Sequence, residues 1–478
     1  MKKTFLSIII LLISLNVFSQ NKKIIRKHFK EADFYLSHRD YLNALAFYQK
    51  IIALDSKNED AHIYAAMSRL FLSHPLDSFK LHEYYLQKSK KPDSKFYLAR
   101  IYHKKKNLDE ALELYDNYLK VPVKKRMLDD DEIIYHKMIS INAKEHLANA
   151  HRSIIKNMGP KINSNYGDYV PVITPDESAL YFTSRREGSS DNTKDAYGHY
   201  HEDIYVAHKK NGEWQTPSKL EAPINTETND ACVAISPDAH RMIIYRASQD
   251  GLTGHLYITT LDEQNKWKKP VLLGNEINSQ FTETSACFSN DTSEIYFSSN
   301  RPGGYGGKDI YRIKKLPNGK WGKPFNLGPT INTKYDEYSP FLHPDGVTLY
   351  FSSKGHNTMG EYDVFKSTVN SETGFFTEPI NLGYPINDVH NDVFFVLNVN
   401  GQKAYYSSNK EDSYGLTDIY EIDTRFGDND LMVKHGVLFK NDSLGKAKIT
   451  LLDNETNKVA GIYNSNAKTG KFILIMNP

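Results

Sequence analysis

The sequence predicts a multidomain α plus all-β protein: an N-terminal α-solenoid, a five-bladed β-propeller and a partial β-sandwich. Three observations lead there. Apolar residues recur at helical spacing over residues 21–150, where Gly and Pro are scarce. From residue 160 to 420 the landmarks keep a beat of about 54 residues, the period of one small sheet per repeat. Beyond residue 430 short alternating β runs follow a different spacing.

The amino end carries an export signal rather than structure. Lys2 and Lys3 precede an apolar run from Phe5 to Phe18 that ends in Ser19-Gln20, so residues 1–19 are expected to be a secretory signal peptide. No later stretch is long and apolar enough to be expected to span a membrane. The full chain has 60 basic and 58 acidic side chains, but they are unevenly spread. Residues 20–160 hold 26 basic and 18 acidic groups, whereas residues 161–478 hold 32 and 40. The basic arm fits an acidic surface, or simply two solvated faces of opposite sign. Nucleic acid is not an expected partner of an exported chain.

Within residues 21–151 a helical repeat domain is expected. Ala32, Tyr35, Ala44 and Tyr48 return as Ala99, Tyr102, Ala111 and Tyr115, an offset of 67, close to two 34-residue periods. Small residues 12 apart let paired helices approach, and a tyrosine packs one turn on, which is the logic of tetratricopeptide repeats. Lys104–Lys106 and Lys124–Arg126 mark turns between helices. Asp129–Glu132 open a last helix, where the dipole favours acids.

The propeller is expected over 153–425. A turn acid recurs at Asp176, Asp238, Asp291 and Asp345, with Asn400 in the fifth slot. An aromatic after each glycine loop recurs at Tyr205, Tyr257, Tyr311, Phe365 and Tyr420. Ile-Asn pairs end at Asn163, Asn225, Asn278, Asn332 and Asn387. Trp214, Trp267 and Trp321 each stand three residues before a proline, and Phe376 takes the fourth such slot. These aromatics are expected to pack between neighbouring sheets, because one blade cannot cover its own apolar faces. The repeated acids are read as structural acceptors of backbone hydrogen bonds rather than a catalytic set.

The fifth unit lacks the segment that ends the others, and Met158–Asn163 upstream of the first resembles Leu327–Asn332. Ser153–Ile162 is therefore expected to supply the last strand of the last blade, sealing the ring. A sixth blade, the alternative, would need a degenerate repeat. Cys232 and Cys287 fall on related strands of adjacent blades and are expected to be buried free thiols, with an inter-blade disulfide the alternative.

Asp423–Asp430 reads as a linker, and residues 431–478 as an incomplete β-sandwich with a turn at Asp453–Thr456. So few strands cannot cover a core, which implies further chain beyond Pro478 or a truncated module.

The chain resembles exported multidomain proteins of the OmpA family that join tetratricopeptide repeats to a WD40-like, TolB-type propeller and a carboxypeptidase regulatory-like β-sandwich. The resemblance rests on Ser298–Tyr311, Ser352, Ser353 and Asp363, and on Gly436-Val437, Gly445, Ala447–Ile449 and Gly470–Phe472. It implies a non-enzymatic periplasmic protein at the outer membrane, with envelope proteins as partners and, in some members, a link to type IX secretion. The family's OmpA-like domain is absent here, so peptidoglycan binding transfers to no residue of this chain.

No catalytic signature stands out: there is no G-x-S-x-G, H-E-x-x-H, P-loop or EF-hand pattern. No catalytic, cofactor or metal residue is assigned. The oddity is the first blade, where Ser184 to Asp203 spans 19 residues against 10 for Ser299 to Asp309. This insertion carries Arg185, Arg186, His199 and His201, the expected partner contact on a rigid scaffold. His199 and His201 would share one face of a strand, but a zinc site needs a third ligand. Two functions are weighed: a scaffold binding other envelope proteins, and a glycan- or small-ligand-binding propeller using loop aromatics such as Tyr305 and Tyr414.

Overall fold

The computed structural model describes residues 2–72, 76–195, 199–249, 253–370, 373–424, 432–440, 443–445, 447–452, 459–466 and 470–476. The expected linker at Asp423–Asp430 lies largely outside these residues, and the turn at Asp453–Thr456 entirely so. The chain divides into two compact units, Met1–Ile141 and Asn142–Pro478.

Among the described residues seven α-helices are formed: α1 Lys2–Ser37, α2 Tyr41–Leu54, α3 Glu59–Phe71, α4 Lys80–Lys88, α5 Pro92–Lys104, α6 Leu108–Leu119 and α7 Asp130–Ala148. Local chemistry sets their starts. The Asp40 carboxylate accepts from Asn43 N and the Asn58 amide oxygen from Ala61 N, each meeting an amide the helix leaves unpaired. Proline opens α5, where its missing N–H costs nothing. Asp130, Asp131 and Glu132 fill the first turn of α7. The repeated alanines lie where two helices touch: Ala32 on Ala44's helix, Ala99 on Ala111's, all four fully buried. Tyr48 and Tyr115 are likewise fully buried. The lysine clusters mark helix boundaries: Lys104 ends α5 with Lys105 and Lys106 in the turn after it, and Lys124 and Lys125 lie in a 3₁₀ segment before α7. No helix among the described residues is long and apolar enough to cross a membrane.

The second unit holds a five-bladed β-propeller. The inner strands of blades 1 to 5 are Asp168–Ile173, Asp230–Ile235, Ser285–Phe288, Glu337–Leu342 and Val393–Leu397. Each begins an antiparallel sheet of at least four strands, and successive inner strands touch around a ring, the fifth against the first. Ile154–Asn157 pairs antiparallel with Asp418–Asp423, so the strand from upstream of blade 1 completes blade 5. The ring is closed at five.

The landmark residues explain this regularity. The amide of each Ile-Asn asparagine brackets a third strand; Asn332 accepts from Ile310 N at 2.7 Å and donates to Ile310 O at 3.0 Å. Asn387 does the same to Val364, Asn225 to Ile204 and Asn278 to Leu256. Asn163 brackets Ile419 from 256 residues away, pinning the closing strand. The tryptophans pack onto the preceding blade: Trp267 on Tyr181, Trp214 on Tyr405, with Phe376 likewise on Tyr296. Cys232 and Cys287 are buried free thiols. Three two-stranded sheets follow within 432–476, pairing 432–437 with 471–476, 439–440 with 443–444, and 448–452 with 459–464.

Candidate functional site: the channel mouth

The repeated acids are occupied by architecture. Turn acids such as Asp291 accept from Ser289 Oγ, Ser293 N and Ser293 Oγ. Asp309 accepts from Tyr305 N, Gly306 N and Asn326 Nδ2, and Asp363 and Asp418 repeat the pattern. This folds the glycine loops of blades 3 to 5, and Gly307 N and Glu361 N then donate to Tyr335 O and His390 O of the following blade. A Cβ on Gly306 would collide with Tyr335 O, and one on Gly415 with Tyr166 O.

A further acid series lies where each inner strand starts: Asp168, Asp230, Glu283, Glu337 and Asp392, all fully buried. Four are met by a cation, from Arg186 at 2.6 Å, Arg246 at 2.6 Å, Arg301 at 3.2 Å and Lys410 at 3.5 Å respectively. Glu337 is the exception. Gly355 stands at the sequence position of the missing cation, and Thr333 fills the space a side chain there would need. The next residue, His356, contacts Ile331 O as the arginines contact their Ile carbonyls, but not the carboxylate. Burial, aided by Asp309, pushes Glu337 up to about 7.

Side chains that do not repeat gather at this end of the ring. Residues just after the inner-strand acids (Tyr169, Thr284, Tyr338) and just before the third-strand acids (Glu202, Lys308, Tyr362) lie where the inner strands start, the end of the ring we call the channel mouth. Backbone bonds place the second set, since Asp230 N donates to Glu202 O, Glu337 N to Lys308 O and Asp392 N to Tyr362 O.

On the blade 1 side, Glu202 Oε1 accepts from Tyr169 OH at 2.5 Å and Arg185 Nη2 at 2.6 Å, and Arg185 Nη1 reaches Asp195 at 3.1 Å. Burial works against the Arg185 charge, but Tyr169 and Glu202 more than offset it and raise its pKa. Burial and then Arg185 depress the His199 imidazole, favouring its neutral form. On the blade 4 side, Lys308 Nζ lies 4.6 Å from the Tyr338 ring centroid and Lys354 Nζ 4.7 Å from that of Tyr362. Asp336 accepts from Lys308 N and Tyr362 OH and pairs with Lys354 at 3.5 Å. Thr284 Oγ1 meets Tyr338 OH at 3.2 Å, and the Tyr338 ring packs edge-on to Phe394.

Behind the mouth runs an apolar cavity of about 90 Å³ on the ring axis, walled by residues such as Val170, Val233, Ala286, Pro340 and Phe394. Val170, Ser339 and Phe394 have positive φ beside register shifts in their inner strands. For valine and phenylalanine that backbone is strained, and the strain collects around the channel.

The four insertion residues divide. Arg185 joins the mouth, and His199 lies beside it, its N–H donating to Asp195. His201 turns to Asn229 and Asp191. Arg186 is committed to Asp168 and Ile162 O and stacks on Tyr205. No group of three metal-ligating side chains occurs among the described residues. Tyr305 and Tyr414 are about half exposed on their glycine loops. Glu202 belongs to the first-blade insertion, whereas Tyr169, Lys308, Tyr338 and Tyr362 are not singled out as site residues from sequence. Their signal is positional: each adjoins a recurring acid in a slot where the repeats disagree.

Fold and mouth together define a class, a five-bladed propeller with a helical region before it. No family model matches the chain, and no curated protein matches it significantly. Among solved structures it is similar to TolB from Acinetobacter baumannii, at 18% identity and TM-score 0.33, covering 54% of this chain and 55% of that one. It thus spans about half the length of that protein. It is also similar to the catalytic domain of the Coprinopsis cinerea GH62 α-L-arabinofuranosidase (12% identity, TM-score 0.38, 57% and 96% covered). A third is the β-1,2-mannobiose phosphorylase of Listeria innocua (9% identity, TM-score 0.38, 57% and 96% covered). Likenesses this distant assign neither ligand nor reaction.

Proposed function

We propose that the chain is a non-enzymatic scaffold of the cell envelope, in which a tetratricopeptide-type helical region and the propeller each bind other envelope proteins. The supporting observation is the fate of the acids. Each series repeated around the ring is bound up in holding the blades, and the variable side chains are concentrated at one mouth. A rigid frame with a variable rim suits recognition. Export to the periplasm, attachment at the outer membrane through a partner and a role beside type IX secretion belong to this reading. They rest on residues 1–19 and on the family resemblance. In the first blade the contact falls to Arg185, His199 and His201, because Arg186 is engaged in the blade. Affinity capture from envelope extracts with the full chain should return a reproducible protein partner, weakened by Arg185→Ala; recovery of none would refute the scaffold.

A second reading, a glycan- or small-ligand-binding propeller, draws on the tyrosines of the mouth and on exposed Tyr305 and Tyr414. Calorimetry against cell-wall fragments and sugars separates the two, since a scaffold gives no heat with either.

A further inference from the structure

Three features of the channel converge on one kind of ligand. The cavity of about 90 Å³ is apolar, smaller than the ~150 Å³ engineered apolar cavities that admit benzene, and suited to an aliphatic group of about three or four carbons. In its wall Ser339, only 5% exposed, carries an Oγ with no hydrogen-bond partner. Leaving that hydroxyl buried and unsatisfied is unfavourable, and a polar atom placed there would relieve it. Beyond that wall, the partly buried Lys308 rests its Nζ on the ring of Tyr338, which itself packs on the wall residue Phe394 and meets the wall residue Thr284; Lys308 forms no ion pair among the described residues, although Asp336 lies near enough to favour its charge against burial. The neighbouring cations are differently placed: Arg185 is bound to Glu202 and Asp195, and Lys354 to Asp336.

We propose that the channel mouth binds a carboxylate bearing a short branched aliphatic group, with the carboxylate on Lys308, the aliphatic group in the cavity and a polar atom against Ser339 Oγ. The ammonium supplies a charge-assisted hydrogen bond that is stronger for being partly desolvated. The same chemistry occurs in a free acylated aliphatic amino acid and in the last residue of a polypeptide. This site stands on the channel alone and does not require the scaffold reading.

The test is calorimetry on the full chain with N-acetyl-leucine, its carboxamide, and a pentapeptide ending in leucine with a free carboxylate. The acid or the peptide should bind about tenfold more tightly than the amide. Lys308→Gln should remove that preference with the unfolding temperature unchanged, and Ser339→Ala should weaken both acid and amide. Binding of the short acid alone assigns a small molecule; binding of the pentapeptide assigns a polypeptide C-terminus. Equal binding of acid and amide, a preference that survives Lys308→Gln, or no saturable binding at all overturns the proposal. Failure to capture an envelope partner, with acid binding intact, would remove the scaffold and leave this site standing.

Discussion

Glu337 is the residue at which the ring's internal electrostatics change. Its partners are Ser353 Oγ, Thr333 N and Thr333 Oγ1, all neutral donors. Its folded pKa lies near 7 against an ordinary 4.5, so below about 4.5 the group is protonated in both states and stability is complete. As pH rises from there through 7 the unfolded chain releases the proton first and stability is lost. A shift of this size corresponds to on the order of 3 kcal/mol at about 1.4 kcal/mol per unit. Urea titrations at pH 5 and pH 8 should show a smaller loss for Glu337→Gln than for the native chain. An unchanged loss would mean another group is responsible. In sequence the buried acids were not separated from the turn acids, because both read as Asp or Glu beside an apolar run. Arg186 is a neighbouring case, a residue of the first-blade insertion that also serves the blade. It stands two residues after Ser184, as Arg301 stands after Ser299, and that register marks it as a blade cation.

At the scale of the element, the asparagine bracket and the glycine loop carry the blade. Asn332→Ala removes both bonds to Ile310 and leaves its N–H buried without a partner, while its C=O keeps Leu327 N, an expected loss of about 1–3 kcal/mol in chemical denaturation. Gly306→Ala forces a methyl into Tyr335 O and should cost at least about 2 kcal/mol; a near-neutral result would show that the loop shifts freely. These elements were legible because their residues recur in register: five Ile-Asn pairs, one displaced upstream, already implied the closing strand. The mouth was less legible. Its side chains meet through tertiary geometry, so Lys308 and Tyr338, 30 positions apart, look unrelated along the chain. The final strands pair as three short sheets, too few to test a sandwich.

For the molecule as a whole, the two thiols report whether the ring is shut. Burial raises both, Cys287 to about 12, so neither is reactive while the blades hold together. Ellman's reagent should label Cys232 and Cys287 only with cooperative unfolding in the native chain. Deleting residues 153–163 should expose them without denaturant. Silent thiols in that deletion would mean that three strands suffice to keep blade 5 in place.

The seam also bears on the order of events during synthesis. Ile154–Asn157 leaves the ribosome well before Asp418–Asp423, its partner, and must wait through four complete blades before it can dock. Closure over so long a loop is entropically slow. Until then the last sheet has a bare edge, open to any extended segment that arrives first. Assembly of the propeller is therefore most exposed to error at its final step, when its earliest and latest strands must find each other.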